Sequence, residues 1–98
     1  MQKKQKNKPI HWSEEALVDL EKIYDYISEN FSSEIAEEKV ALIFEEVKTL
    51  SVFPRKGKIS IRFNEVRELT VEMNTVYYRN NELDIVIATI RARRTRQK

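Results

Sequence analysis

Two helical patterns joined by a pair of serines fill the first half of the chain. The apolar positions, spaced by three or four, are Leu17, Leu20, Tyr24, Ile27 and Phe31, then Ala36, Val40, Ile43, Val47 and Leu50. Ser13 is a suitable N-cap for the first helix, Ser32 or Ser33 for the second, and Pro54 ends the second. Because the connection is so short, the two helices must run antiparallel. The sequence therefore predicts a helical hairpin with one buried face.

Strand-like runs account for most of the remaining sequence. Residues 9–12 are typical of a short first strand, and residues 59–63, 66–71, 75–79 and 83–91 have the features of further strands. Helices that come before most of the strands indicate an α+β fold. We expect an N-terminal strand and an antiparallel helical hairpin packed on one face of a mostly antiparallel β-sheet.

The length of 98 residues suits one domain. Residues 1–8 contain lysines without apolar periodicity, so we expect a disordered basic tail and then a single domain over residues 9–98. With no cysteine and one histidine, the sequence gives no basis for a metal site, and we expect no cofactor. No apolar run approaches about 18 residues, so we expect a cytoplasmic protein without a membrane partner.

Charge is divided unevenly along the chain. Residues 13–53 hold eleven acidic and three basic residues, whereas residues 54–98 hold five acidic and eleven basic residues. An acidic helical layer should therefore lie beside a basic sheet. The positive side of such a molecule should attract a polyanion or an acidic protein.

The basic residues concentrate where the last strand ends, at Arg91, Arg93 and Arg94, and we expect Arg67 to approach them. Strict alternation would place Ile85, Ile87, Thr89, Arg91 and Arg93 on one side of that strand, and Val86, Ala88, Ile90 and Arg94 on the other. Neighbouring cations repel each other, which favours an anion at this place, either phosphate or a partner's carboxylates. A solvated basic end is the alternative. The predicted nucleic-acid or target-binding residues are Lys56, Lys58, Arg67, Arg79, Arg91, Arg93 and Arg94.

The order of five short segments resembles the RelE/ParE family of bacterial toxins. These segments are residues 16–27 (ALVDLEKIYDYI), 50–54 (LSVFP), 66–69 (VREL), 76–79 (VYYR) and 90–94 (IRARR), within a resemblance that spans residues 9–94. The resemblance implies a growth-inhibiting toxin of a type II toxin–antitoxin, or plasmid stabilisation, system. It also implies a cognate antitoxin protein that neutralises the toxin, in a possible hetero-oligomer. RelE-like members cleave mRNA on the ribosome, and ParE-like members poison DNA gyrase.

The chain departs from the RelE-like pattern at positions that matter for RNA cleavage. Thr75 stands where the resemblance implies an arginine, and Leu69 stands where it implies a lysine. Cleavage by a 2′-hydroxyl needs a proton acceptor and a proton donor, and arginine side chains stay protonated because their pKa lies above about 12. His11 is best interpreted as structural. The candidate catalytic residues are Arg67, Arg91, Arg94 and Tyr78.

Three functional hypotheses follow from the residues and the resemblance. The favoured one is a ParE-like inhibitor of DNA gyrase, because residues for proton transfer are missing. The first alternative is an enzyme, a metal-independent, ribosome-dependent mRNA endoribonuclease of the RelE type. The second alternative is an inactive relic that retains antitoxin binding.

Overall fold

Five strands and two helices make up the fold in the computed structural model, which describes residues 7–93. The elements are β1 (Ile10–Trp12), α1 (Glu14–Asn30), α2 (Ser33–Lys48), one turn of 3-10 helix (Thr49–Ser51), β2 (Lys58–Ile59), β3 (Arg67–Val71), β4 (Asn74–Asn80) and β5 (Ile85–Ala92). The strands form one sheet in the order β1-β5-β4-β3-β2. Only β1 and β5 run parallel, and the other neighbours are antiparallel. The predicted α+β architecture is confirmed.

Serine caps begin both helices, as the sequence predicts. The Oγ atom of Ser13 accepts a hydrogen bond from the amide of Ala16 at 3.0 Å, and that of Ser32 accepts one from the amide of Ile35 at 3.1 Å. Ser13 also donates to the carbonyl of Ala88 at 2.8 Å, which fixes the start of α1 on β5. The caps satisfy amides that would otherwise lack partners in the first turn.

The buried face of α1 is shifted by one residue from the predicted stripe. Ala16 and Leu20 are buried, and Ile23 packs against the same core. Leu17 is 48% exposed, because it lies about 100° around the helix from Ala16. Phe31 is 67% exposed and lies beyond the last residue of the helix. The predicted burial of these two side chains is therefore wrong.

The core lies between the helices and one face of the sheet. Its members from the sheet are Leu69, Val71, Val76, Tyr78, Ile85, Ile87 and Ile90, and its members from the helical segments are Ala16, Leu20, Ile43, Val47 and Leu50. The other face of the sheet carries no helix in the described part of the chain. We call it the open face.

A β-bulge in β5 changes which side chains reach the open face. Tyr77 pairs with Thr89 and Tyr78 pairs with Ile87, so Ala88 has no counterpart in β4. Ile87 and Ile90 therefore both reach the core, and Thr89 and Arg91 point to the opposite side from Ile87. The alternation expected for this strand is therefore wrong at Thr89, Ile90 and Arg91, because it assumes an uninterrupted strand.

Asp19 occupies the edge of β5 that β1 leaves uncovered. The last pair between β1 and β5 joins Trp12 to Ile87. Beyond that pair, the carboxylate of Asp19 accepts hydrogen bonds from the hydroxyl of Thr89 at 2.6 Å and from the amide of Ile90 at 3.0 Å. A side chain of α1 thus replaces a strand next to the bulge.

The strand predicted over residues 59–63 is shorter than expected. β2 ends at Ile59, and the hydroxyl of Ser60 accepts hydrogen bonds from the amides of Arg62 and Phe63, each at 3.0 Å. These bonds turn the chain away from the sheet, in the manner typical of serine-initiated turns. The turn sets the position of Phe63.

The two ends of the chain are described only in part. Residues 1–6 of the predicted tail, and residues 94–98 with Arg94, lie outside the described residues. Lys8 belongs to the described part, and its side chain donates hydrogen bonds to Asn80 and Asn81, each at 2.7 Å. Between residues 7 and 93, no helix is long and apolar enough to cross a membrane.

Candidate functional site

Five of the seven predicted basic residues fall into two groups on different surfaces. Arg79 and Arg91 lie on the open face, whereas Lys56, Lys58 and Arg67 surround the loop that follows α2. Arg67 pairs with Tyr78, and Arg91 pairs with Thr75, three residues away along β4. That offset corresponds to about 10 Å along the strand. The structure therefore does not bring Arg67 to Arg91.

Arg79 and Arg91 line a cleft on the open face, which we call the open-face cleft. Its volume is about 240 Å³, and its lining residues are Glu15, Phe63, Val66, Tyr77, Arg79, Ala88, Thr89 and Arg91. Along β4, Tyr77 lies between the position of Arg79 and that of Thr75, which pairs with Arg91. The cleft thus has an aromatic floor with an arginine on each side.

The aromatic floor holds Arg91 in place. Phe63 contacts Tyr77 with 5.2 Å between ring centroids and an interplanar angle of 89°, the edge-to-face arrangement that aromatic pairs favour. The guanidinium carbon of Arg91 lies 5.9 Å from the centroid of Phe63, within the range of a cation–π contact. The ring of Phe63 therefore orients Arg91 while leaving the guanidinium hydrogens available for an anion.

Loop residues 60–66 deliver Phe63 to this site. The hydroxyl of Ser60, which accepts the two loop amides, also donates to the carboxylate of Glu68 at 2.8 Å. Glu65 has a φ of 56°, in the left-handed region that costs a non-glycine residue about 1 kcal/mol or more. This strained residue directly precedes Val66, which also lines the open-face cleft.

The arginines of the open-face cleft have no carboxylate partner within residues 7–93. In this part of the chain, ion pairs join Lys39 to Glu72 at 2.8 Å and Lys56 to Glu46 at 2.9 Å. Lys58 lies 4.0 Å from Glu68, with most of its side chain exposed. Glu15 lines the cleft but is not within ion-pair distance of either arginine. The cleft can therefore accept an external anion.

Arg67 and Tyr78 instead fix the loop after α2, residues 52–58, which we call loop 52–58. The hydroxyl of Tyr78 donates to the carbonyl of Pro54 at 2.7 Å and accepts from the amide of Gly57 at 2.9 Å. The Nη1 atom of Arg67 donates to the carbonyl of Gly57 at 2.7 Å. The guanidinium of Arg67 is thus committed to the backbone of the loop.

Tyr78 is completely buried, and its hydroxyl already has a donor and an acceptor partner. Burial raises the pKa of this hydroxyl above its ordinary value, while the hydrogen bond from Gly57 and the charge of Arg67 oppose the rise. The hydroxyl therefore stays protonated at neutral pH and lies on the core side of β4, away from Arg91.

The remaining predicted residues lie at separate places. Arg93 is exposed next to the β3–β4 turn, where its amide donates to the carbonyl of Met73 at 2.6 Å. His11 lies on β1, 3.6 Å from the carboxylate of Asp84. Arg94 lies outside the described residues. No group of three or more His, Cys, Asp or Glu residues comes together to hold a metal ion anywhere in residues 7–93.

Phe63 and Glu15 are two of the cleft residues that the sequence did not indicate. Phe63 belongs to a run that alternates like a strand, so its turn could not be inferred from periodicity. Glu15 has the ordinary explanation of an acid at a helix N-terminus. One local signal was present, because serine favours turns in which its hydroxyl accepts amides two and three residues later.

Comparisons with known proteins agree with the overall fold and identify the family. A family model described as the ParE toxin of the type II toxin–antitoxin system parDE matches residues 10–97. One similar solved structure is described as a chromosomal ParDE toxin–antitoxin system from P. aeruginosa. It has a TM-score of 0.80 and 28% sequence identity, and the match covers 89% of this chain and 97% of that chain. A search of curated proteins finds no match. The chain belongs to the ParE toxin family of type II toxin–antitoxin systems.

Proposed function

We propose that this chain inhibits DNA gyrase in the cytoplasm and is neutralised by a cognate antitoxin protein. The observation that carries the proposal is the separation of Tyr78 from Arg79 and Arg91. Tyr78 lies on the core side with its hydroxyl engaged by the backbone, while the two arginines line the open-face cleft. A site of this kind suits the binding of an anionic group better than proton transfer.

Binding alone is sufficient for a toxin that blocks another enzyme. The guanidinium of arginine donates paired hydrogen bonds to a carboxylate or a phosphate. A complex of gyrase with DNA presents both, carboxylates on the protein and phosphates on the DNA. The open face has no helix over it within the described residues, so a large target can approach Arg79 and Arg91 directly. Family membership supports an antitoxin partner, and a toxin–antitoxin hetero-oligomer follows from that proposal.

One observation favours a second candidate function, a ribosome-dependent mRNA endoribonuclease. Glu15 lines the same cleft as Arg79, Arg91 and Tyr77. A carboxylate there could accept the proton of a 2′-hydroxyl, and the arginines could stabilise the charge that develops at phosphorus. Glu15→Gln would then abolish cleavage. Under the gyrase proposal, the same substitution should leave growth inhibition intact.

The first experiment expresses the chain from a tightly controlled promoter and follows growth, plasmid supercoiling and mRNA 5′ ends. Arrested growth with relaxed plasmids and intact mRNA is the expected result. New mRNA ends within translated codons would contradict it and establish the nuclease. Normal growth with a folded product would contradict both and indicate the relic that only binds antitoxin.

Arg91→Ala tests the role of the open-face cleft in the same assay. The substitution should reduce growth inhibition at least tenfold, a typical cost for losing one charged contact in an interface. Arg62→Ala is the matched control, because Arg62 is exposed and does not line the cleft. Full toxicity of the Arg91→Ala variant would show that the cleft does not contact the target.

A further inference from the structure

Loop 52–58 combines exposed apolar side chains with a backbone that the core holds in place. Phe53 is 62% exposed and Val52 is also exposed. With Pro54, Arg55 and Lys56 they line an open groove of about 640 Å³. We propose that this loop is a preformed docking site for a protein segment that carries carboxylates beside apolar side chains. The proposal goes beyond the inhibition of gyrase, because it concerns a different surface and a different kind of contact.

Hydrogen bonds from the core hold the loop on its inner side. Tyr78 bonds to Pro54 and Gly57, Arg67 bonds to Gly57, and the amide of Lys56 donates to the carbonyl of Phe53 at 3.0 Å. A loop that is already fixed loses little conformational entropy when a partner binds, and this raises affinity.

Gly57 brings the loop unusually close to the sheet. A Cβ atom at this position would lie 2.7 Å from the carbonyl oxygen of Glu68 and 2.8 Å from Cε1 of Tyr78. Such contacts are too short for any side chain, so only glycine permits this approach. The hydrogen bonds and the close contact together keep Phe53 and Arg55 at the surface.

The charges around the groove favour a carboxylate partner. Loop 52–58 contains Arg55, Lys56 and Lys58 and no acidic residue. Lys56 is already paired with Glu46 of α2, and Lys58 lies 4.0 Å from Glu68 with its side chain 77% exposed. Arg55, which forms no ion pair within residues 7–93, therefore carries most of the available charge, with a smaller share from Lys58. Exposed aromatic and apolar groups with cations at the rim match the composition of protein interfaces.

A nucleic acid fits this surface less well. Its affinity would depend on several cations that contact phosphates. Here two of the three loop cations already have a carboxylate nearby, Lys56 at 2.9 Å from Glu46 and Lys58 at 4.0 Å from Glu68. In addition, α2 places Glu45 and Glu46 at the end of the helix next to the loop. The exposed Phe53 and Val52 would also gain little from a phosphate backbone. A segment with isolated carboxylates avoids both difficulties.

The experiment titrates the isotope-labelled full chain with a short blocked peptide of alternating leucine and glutamate, followed by NMR. The peptide should shift amide signals of loop 52–58. A matched peptide with glutamine in place of glutamate should bind at least tenfold more weakly. Oligothymidylate should bind this loop more weakly than the acidic peptide.

Two exposed substitutions locate the site without disturbing the core. Phe53→Ser and Arg55→Ala should each weaken binding of the acidic peptide about tenfold. The matched controls are Ile61→Ser and Arg62→Ala, in the neighbouring loop, where Ile61 is 99% exposed. Both controls should leave the affinity unchanged. Equal effects of the loop and control substitutions would overturn the proposal.

Tyr78→Phe tests whether the fixed backbone matters for binding. In this variant, the amide hydrogen of Gly57 should exchange with solvent faster than in the wild type. The acidic peptide should bind severalfold more weakly, although Phe53 and Arg55 are unchanged. Faster exchange with unchanged affinity would overturn preorganisation. Three further results would overturn the docking site itself: no shifts in the loop, equal binding of the glutamine peptide, or tighter binding of oligothymidylate. If Tyr78→Phe fails to fold, the two exposed substitutions still decide the question.

Discussion

Tyr78 joins the core, the sheet and loop 52–58 through one side chain. Its ring is buried among the core residues of β4 and β5, and its hydroxyl reaches the backbone of Pro54 and Gly57. Arg67, the neighbour of Tyr78 across β3 and β4, supports the same loop through the carbonyl of Gly57. The two residues that a catalytic hypothesis would pair with phosphate are thus both bound to backbone atoms.

Removing the hydroxyl of Tyr78 should destabilise the protein in a pH-dependent way. At neutral pH, Tyr78→Phe leaves a buried amide and carbonyl without a partner, which costs about 1–3 kcal/mol. Burial raises the pKa of Tyr78 in the folded state above its unfolded value, so the wild-type hydroxyl contributes stability that is lost as pH rises through about 10 and above. The difference between wild type and Tyr78→Phe should therefore shrink from about pH 9 to about pH 11.

Urea denaturation at the two pH values measures this difference. Tyr77→Phe is the control, because no hydrogen bond of the Tyr77 hydroxyl is found within residues 7–93. A stability difference for Tyr78→Phe that stays constant with pH would show that the hydroxyl ionises equally in both states. If Tyr78→Phe lowers the free energy of unfolding at neutral pH by less than Tyr77→Phe does, the amide of Gly57 and the carbonyl of Pro54 must form other hydrogen bonds in the variant.

At the scale of the elements, polar contacts from the first two turns of α1 add to its buried apolar face in positioning the helix. Ser13 caps the helix and also donates to Ala88, and Asp19 accepts hydrogen bonds from Thr89 and Ile90. These contacts attach α1 to the bulged part of β5. By contrast, Ser32 caps α2 at an exposed place and has no second bond of this kind in the described chain.

Replacement of each capping serine separates these two roles. Ser32→Ala should cost about 1 kcal/mol, the usual value of an N-cap. Ser13→Ala should cost about 1 kcal/mol more, because the carbonyl of Ala88 also loses its donor. Chemical denaturation of both variants provides the comparison. If the two variants lose the same free energy of unfolding, water replaces the hydrogen bond from Ser13 to Ala88 without cost.

The helical hairpin and the fold class could be predicted because their signals are local. A cap, an apolar repeat and a proline each act within a few residues, and the structure confirms the hairpin on the sheet. The bulge at Ala88 and the position of Phe63 could not be predicted in this way. They depend on the pairing with β4, on Asp19 and on Glu68, which are distant in sequence from the residues they control.

The positions of the predicted basic residues in the fold depend on strand register, which cannot be read from the sequence. The sequence marked Arg79 and Arg91 as basic strand residues, and the fold places both in the open-face cleft. It also expected Arg67 to approach Arg91, but strand register placed Arg67 beside Tyr78. Residue type can be read from the sequence, whereas neighbours across strands depend on register.

At the scale of the whole molecule, the two proposed surfaces lie on different sides of the sheet. The open-face cleft lies on the side without helices, and loop 52–58 is held from the core side by Tyr78. A large target at one surface therefore leaves the other accessible. The fold can in principle hold a target and a second protein segment at the same time.

Independence of the two surfaces leads to a specific expectation. Arg91→Ala should reduce growth inhibition and leave the affinity for the acidic peptide within about twofold, because the sites share no residues. Phe53→Ser should reduce peptide affinity and leave growth inhibition unchanged in cells without antitoxin. Loss of both functions in either variant would show that a single continuous surface serves target and peptide.

The unpaired Ala88 has an evolutionary consequence. The bulge decides whether the arginine that follows faces the solvent or the interior, because a strand that paired every residue from Ile87 onward would place Arg91 on the core side. Without Ala88, the pairs of Tyr78 with Ile87 and of Tyr77 with Thr89 would be consecutive, and Arg91 would stay on the open face. A one-codon deletion of Ala88 should therefore keep both arginines in the open-face cleft, although it removes one residue from the lining. Relatives that lack this codon should therefore retain both the arginine and the toxicity, and a gap at this position would not indicate an inactive protein.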